Sequence, residues 1–220
     1  CSAHKKINNP KYFAKYWFHN GFVNVEGEKM SKSIGNIRLV HEMIKEYKGE
    51  VLRMALLSAH YRQPLNWTKG IIKQNSTMLD RLYRTLKDLE HIDAYTNNHA
   101  LPQNILEGFY DDLNTPKVIA ELNILTNKVS KAGEKEKSLI KYCLLETGKV
   151  LGILQQDPRE WLGYGQSKNL DEVTIENLIK ERNEARRKKN FEMADSIRKK
   201  LKESGIEIED TSDGTIWRSN

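Results

Sequence analysis

Apolar residues change their spacing along this chain, and the changes divide it. Residues 22–25 form a short strand-like run closed by Gly27, and residues 37–47 read as a connector and a short helix, the alternation of an α/β domain. From Gly49 the spacing turns helical. Val51, Met54, Ala55 and Ser58 predict a helix that stops before Pro64. Thr68 is the expected N-cap of a long helix through Glu90, with Ile71, Ile72, Asn75, Met78, Leu79, Leu82, Tyr83, Leu86 and Leu89 on one stripe. Residues 95–102 read as a polar linker, and residues 105–111 as another helix. Thr115 is the expected cap, with Pro116 in the first helical position, of a helix whose stripe is Ile119, Leu122, Leu125 and Val129. After a charged loop over 131–137, a last bundle helix carries Leu139, Tyr142, Cys143, Leu145, Val150, Leu151 and Leu154 and ends by Asp157-Pro158. Residues 163–169 form a small-residue linker. Two helices over 173–189 and 191–204 follow, parted at Asn190 and closed by Gly205, and then a hairpin turning at Asp213-Gly214.

Composition narrows the class. With 38% hydrophobic and 30% charged residues among 220, the chain has core enough for one or two domains and long solvated helices. No apolar run approaches the ~18 residues that span a bilayer, and the first residues lack the apolar core of a signal peptide, so no membrane partner and a cytoplasmic address are expected. A net charge of +6 is compatible with a polyanionic partner. Cys1 and Cys143 have neither disulfide nor zinc-knuckle spacing, and Cys143, in a helical run, reads as a small buried hydrophobe.

The stretch Lys29-Met30-Ser31-Lys32-Ser33 carries the sharpest chemistry. Two lysines and two serines on short spacing can converge on one polyanion, and Gly35 lets the backbone turn. The same composition also occurs as solvated surface. It belongs to the first of four separated blocks. Tyr16-Trp17-Phe18-His19-Asn20-Gly21-Phe22 leads to the loop and on to Ile34-Gly35-Asn36; Leu56 to Asn66 contains His60-Tyr61-Arg62; and Asp111-Asp112-Leu113-Asn114-Thr115-Pro116 comes third. Last are Glu181-Arg182-Asn183 through Glu209-Asp210 and Gly214-Thr215-Ile216-Trp217-Arg218.

On these blocks, in this order, the chain resembles the C-terminal part of a cysteinyl-tRNA synthetase, beginning inside the catalytic domain. The resemblance implies a mainly α chain: the C-terminal end of a Rossmann-type α/β catalytic domain over 1–47, a stem-contact connector over 48–68, a helical bundle over 69–162 and a small α+β anticodon-binding module over 170–220. It implies ATP-dependent ligation of cysteine to cysteine tRNA through a cysteinyl-adenylate, by a monomer using ATP with Mg2+. The family's zinc ligands are expected upstream of this chain, with no metal ligand within it, and the chain alone is expected to be inactive. Lys29 and Lys32 would be the catalytic and ATP-binding lysines, with Ser31 and Ser33 assisting. Arg62 would face the tRNA backbone or, equally, join an interdomain hydrogen-bond cluster. Arg186, Asp195 and Asp210 stand where the family reads the anticodon, and Phe191 stands where it often has a tryptophan that stacks on a base.

Several residues remain open on sequence alone. His19 fits an active-site position at a strand end or a hydrogen-bonded structural histidine. Asp111-Asp112 suggests a metal pair, or carboxylates satisfying backbone groups before the next helix. Trp217 is either a base-stacking ring or the hairpin's core. Two competing functions stay in view: a non-catalytic RNA-binding fragment, and a ligase joining cysteine to a small amine, against which the tail with Asp195 and Asp210 argues.

Overall fold

The computed structural model describes residues 16–95, 101–164, 170–211 and 214–219. The chain is mainly helical and divides into two compact units, one holding the residues up to Asn75 with Asn104–Ile119, the other Ser76–Gln103 with the residues from Ala120 on.

The first unit is built on a three-stranded sheet in the order β2-β1-β3, with β1 at Val23–Val25, β2 at Glu28–Lys29 and β3 at Leu65–Trp67. β1 pairs antiparallel with β2 and parallel with β3, Val23 opposite Leu65 and Val25 opposite Trp67. A parallel pair needs a crossover. Here it contains α1 (Val40–Met43) and α2 (Gly49–Leu57), and α2 buries Val51, Leu52, Met54 and Ala55. Where the chain enters β1, the Gly21 N–H donates to the Tyr61 carbonyl at 2.7 Å. A Cβ on Gly21 would lie 2.3 Å from the Gln63 carbonyl oxygen, so only glycine allows this approach.

The helices α4 (Gln103–Tyr110) and α5 (Thr115–Lys128) meet closely at Gly108, where a Cβ would stand 2.6 Å from Val118 Cγ2. The cap of α5 is Asn114, one residue before the expected Thr115: Asn114 Oδ1 accepts from Lys117 N–H at 3.2 Å. Thr115 is drawn away because its hydroxyl donates to the Leu57 carbonyl at 2.7 Å, satisfying an acceptor at the end of α2.

In the second unit α3 (Lys69–Asp88) buries Leu79, Leu82, Tyr83 and Leu86, the stripe its spacing predicts. The cap at its start, in the first unit, is Thr68, whose Oγ1 accepts from Ile71 N–H at 3.1 Å. Arg81 joins α3 to α5 through Asn123 at 3.0 Å and through Asn127. α6 spans Glu134–Leu151, starting inside the expected charged loop and stopping short of Leu154. Glu134 and Glu136 in its first turn favour the positive end of the helix dipole, and Gly152, at φ +67°, ends it. Cys143 is buried in α6, and that burial pushes its thiol up to about 11. Asp157 then caps a separate short helix, α7 (Pro158–Trp161), whose Trp161 stacks on Tyr83 with ring centroids 4.4 Å apart.

Lys141 of α6 closes the end of the α3 segment, donating from Nζ to the carbonyls of Leu89 at 2.9 Å, Glu90 at 3.3 Å and Ile92 at 2.6 Å. A cation at the negative end of a helix that also satisfies free carbonyls contributes on the order of 1–2 kcal/mol. Lys141→Met is therefore expected to lower the unfolding free energy by about that amount in urea titration.

The tail packs α8 (Glu172–Arg187) on α9 (Phe191–Glu203), followed by the antiparallel strands β4 (Ile206–Thr211) and β5 (Gly214–Ser219). Its core is Ile175, Leu178, Ile179, Ile197, Leu201, Ile206 and Trp217. Trp217 is buried and meets the Tyr164 ring at 4.5 Å, which makes it core and removes it as a base-stacking ring. The expected linkers over 95–102 and 163–169 fall largely, and the Asp213 turn position wholly, outside the described residues.

Candidate nucleotide-binding loop and nucleic-acid interface

The loop with two lysines grows out of a tight hairpin. Glu26 at φ 50° and Gly27 at φ 87° form the two-residue turn between β1 and β2, the doubly left-handed geometry that suits the strand twist. The turn is held from β3: Glu26 N–H donates to the Trp67 carbonyl at 3.1 Å and Gly27 N–H to Asn66 Oδ1 at 2.8 Å. Lys29 therefore leaves a fixed position opposite Asn24.

Beyond β2 the loop closes on itself. Ser31 Oγ accepts from Ile34 N–H at 3.3 Å and shares a hydrogen bond with Ser33 Oγ at 3.1 Å. Gly35, at φ +72°, donates its N–H to the Lys32 carbonyl at 3.2 Å. Asn36 spans the base of the loop, accepting at Oδ1 from Ser31 N–H at 2.9 Å and donating from Nδ2 to the Lys29 carbonyl at 3.2 Å. The two serines thus shape the loop, while both lysines stay exposed. Lys29 Nζ lies 5.7 Å from the centre of the Phe22 ring, and neither lysine has an ion-pair partner among the described residues. Beside the loop is an apolar cleft of about 490 Å³ lined by Met30, Val23, Met43, Leu52 and Trp67, with Arg38 and Arg53 also on its wall. His19 is exposed, with no side-chain hydrogen bond among the described residues.

Arg62 belongs to a cluster around one carboxylate. Its Nε donates to Asp112 Oδ2 at 2.6 Å and its Nη2 to Asp112 Oδ1 at 3.3 Å, while Tyr61 donates its hydroxyl to Oδ1 at 2.7 Å. His60 Nε2 lies 3.0 Å from the Asp112 carbonyl oxygen, and its ring stacks on Tyr61. The hydrogen bond from Arg62, aided by that from Tyr61, holds the Asp112 carboxyl below the usual carboxylate range; the same bond to Asp112 raises the Tyr61 hydroxyl. Asp112 was expected to serve backbone groups ahead of α5. Instead, with Asp112 at φ 50° and Leu113 at φ 55°, the turn leaves its carboxylate to Arg62 and Tyr61, and Asp111 accepts from Asn114 Nδ2 at 2.9 Å. The hydrogen-bond cluster is formed; the guanidinium is still more than half exposed, and its Nη1 makes no hydrogen bond among the described residues.

In the tail, Arg182 and Arg186 take two different roles. Arg182 is buried, donating from Nη1 to Asp210 Oδ1 and from Nη2 to Oδ2, both at 2.8 Å. Arg186, about half exposed, donates to the same Oδ2 at 2.5 Å. Thr215 Oγ1 lies 2.7 Å from Asp210 Oδ1 and 2.9 Å from Asn183 Oδ1. Asp210 is therefore a saturated acceptor rather than an open one, and Arg182 first, with Thr215 and Arg186, holds its carboxyl well below the usual range. Asp195 is exposed on α9, and Phe191, just after the Asn190 cap, shows 61% of its surface to solvent. Arg186, Asp195 and Phe191 remain on the surface, and Asp210, itself exposed, is tied by a strut to the buried Arg182 beneath it.

A depressed carboxylate stabilises the fold above its unfolded pKa, near ~4, and that contribution is lost as pH falls below it toward the lower folded value. Asp210→Asn is expected to remove this part of the acid dependence and to cost about 1–3 kcal/mol near neutrality, discounted because the carboxylate is partly exposed. Urea midpoints of both proteins between pH 3 and 7 check it: parallel curves would contradict the strut.

Among the described residues no group of three or more His, Cys, Asp or Glu is placed to hold a metal, and no helix is long and apolar enough to cross a membrane. Residues 2–77 match the model of the tRNA synthetases class I (C) catalytic domain, and residues 172–218 match the cysteinyl-tRNA ligase anticodon binding domain. The cysteine–tRNA ligase of Parvibaculum lavamentivorans is 45% identical over 93% of this chain and 44% of its own length. That of Xanthomonas campestris pv. campestris is 44% identical over 94% of this chain and 44% of its own length. The chain thus spans less than half the length of these relatives. A solved LeuRS of Agrobacterium radiobacter K84 aligns with 66% of this chain and 21% of its own, at 20% identity and a TM-score of 0.48.

Proposed function

Because the chain belongs to the cysteinyl-tRNA ligase family, we propose that it supplies the phosphate-gripping loop and the tRNA-binding surfaces of an ATP-dependent ligase charging cysteine tRNA. We divide it into the end of a Rossmann-type catalytic domain over 1–47, a stem-contact connector over 48–68, a helical bundle over 69–162 and an anticodon-binding module over 170–220. The observation that carries the reading is the pair of exposed lysines, free of ion-pair partners among the described residues, on a loop whose backbone is closed by Ser31, Gly35 and Asn36.

Adenylate formation is an in-line displacement: the cysteine carboxylate attacks the α-phosphorus of ATP and pyrophosphate leaves. Charge grows on the phosphate oxygens and the leaving group, and preset cations stabilise it. Lys29 and Lys32 meet that need as flexible point charges, which suits a loop that grips and releases. Ser31 and Ser33 hold each other and the loop backbone, so they support the lysines and reach phosphate only by giving up those bonds. Mg2+ would accompany the polyphosphate, and no residue of this chain is assigned to Zn2+.

For the tRNA, Arg62 offers its exposed guanidinium edge to a backbone phosphate while Asp112 keeps the side chain oriented. In the tail, Phe191 offers a face for a base to stack on, and Asp195 an acceptor for base N–H groups. Asp210 reaches a base only by exchanging one of its present donors, with Arg186 the more exposed of them.

The test is binding of this chain to cysteine tRNA and to a transcript altered only in its anticodon, at matched salt because phosphate contacts are salt-sensitive. A preference of about tenfold or more is expected, the scale of losing one base stack. Equal binding would leave only adhesion of a basic protein and would withdraw Arg186, Phe191, Asp195 and Asp210 as anticodon contacts.

A further inference from the structure

Asn36 joins two backbone groups that a neighbouring strand would otherwise take. Lys29 ends β2, and the carbonyl of residue 29 and the N–H of residue 31 are two residues apart, facing the same side of an extended chain. The side-chain amide of Asn36 answers both, accepting from Ser31 N–H at 2.9 Å and donating to the Lys29 carbonyl at 3.2 Å. A primary amide carries the donor and acceptor of a peptide group, so it can stand in for one residue of a further strand. Aspartate lacks the donor, and leucine lacks both. Asn66 grips the turn on the other side of β2, through Gly27 N–H at 2.8 Å. The segment from Gly27 to Asn36 is thus held at both ends by asparagines, with Lys32 between them.

We infer that Asn36 is a positioning residue for ATP: its amide clip sets the height and direction from which Lys29 and Lys32 leave the loop. This rests on the proposed role of the loop in gripping the triphosphate. Without the clip, the hydrogen bonds left to residues 30–35 among the described residues are those made inside the loop, Ser31–Ile34, Ser31–Ser33 and Lys32–Gly35. The lysines keep their charge but lose a fixed origin, so the penalty falls on ATP binding and on alignment in the transition state, with cysteine binding unaffected.

The test has two arms. In this chain, amide hydrogen exchange at Ser31 is compared between the wild type and Asn36→Ala, with exchange about tenfold faster expected in the variant. In the ligase containing the chain, Asn36→Asp is expected to raise the KM for ATP about tenfold in ATP–pyrophosphate exchange, with the KM for cysteine and the thermal midpoint unchanged. Unchanged Ser31 exchange overturns the clip. An unchanged KM for ATP in Asn36→Asp, with Lys32→Ala impaired alongside it, overturns the positioning role while the loop's part in the reaction stands. Should Lys32→Ala itself have no effect, the role of the loop falls and the inferred role of Asn36 toward ATP falls with it; Ser31 exchange still reports whether the clip exists.

Discussion

Lys32→Ala in the ligase containing this chain is expected to slow cysteinyl-adenylate formation about 10²-fold or more, the scale of losing one preset donor at developing transition-state charge. Lys32 sits inside the closed turn, its carbonyl taken by Gly35 N–H and its side chain exposed. The substitution removes a charge without removing a hydrogen bond of the loop, so stability should hardly move. That separates it from a folding defect. The loss should appear in kcat/KM for ATP–pyrophosphate exchange, with the thermal midpoint as control. Lys32→Arg should rescue only in part, because a planar fork on a stiffer head presents its charge differently from an ammonium. Wild-type exchange in Lys32→Ala would remove this residue from the mechanism.

Trp161→Ala should be the most damaging single change in the second unit, costing about 3–5 kcal/mol of unfolding free energy. The indole is buried, stacks on Tyr83 with rings 16° from parallel, and donates from Nε1 to Asp80 Oδ1 at 2.7 Å. Tyr83 in turn accepts at its hydroxyl from Gln156 N–H at 3.1 Å. Alanine removes the ring area, the stack and the donor together, so the urea midpoint should fall steeply. Trp161→Phe isolates the N–H: it keeps most of the stack and should cost only about 1–2 kcal/mol. If alanine costs less than phenylalanine's expected share, Trp161 is not the pin of this core.

The long elements were legible because periodicity reports which face of a helix is buried. The stripe from Leu79 to Leu86 in α3 and the break at Asn190 between α8 and α9 follow from spacing and capping chemistry alone. Boundaries were less legible where a side chain had a distant partner. Thr115 and Asn114 are both good caps, and the choice was made by the Leu57 carbonyl, 58 positions away. Trp161 gave no periodic signal, since it stands in a four-residue helix whose role comes from Tyr83.

The site residues divide in the same way. Lys29 and Lys32 could be singled out from local composition because a phosphate-gripping loop is a local device: its charges and its turn lie within a few residues. Asn36 is as local, yet its role depends on which way its amide points, and that is decided by closure of the loop. Arg182 and Arg186 lie one helical turn apart in the same sequence block, and only packing buried the first against Asp210 and left the second half exposed. Arg62 and Asp112 are 50 positions apart, so their pairing is invisible to any window of sequence. Order, periodicity and motif spacing determined the long elements, the family and the pair of lysines proposed to grip ATP, because these depend on covalent neighbours. Tertiary structure decided which polar groups are spent on one another and which remain for a ligand, because that depends on burial and on partners the chain supplies from far away.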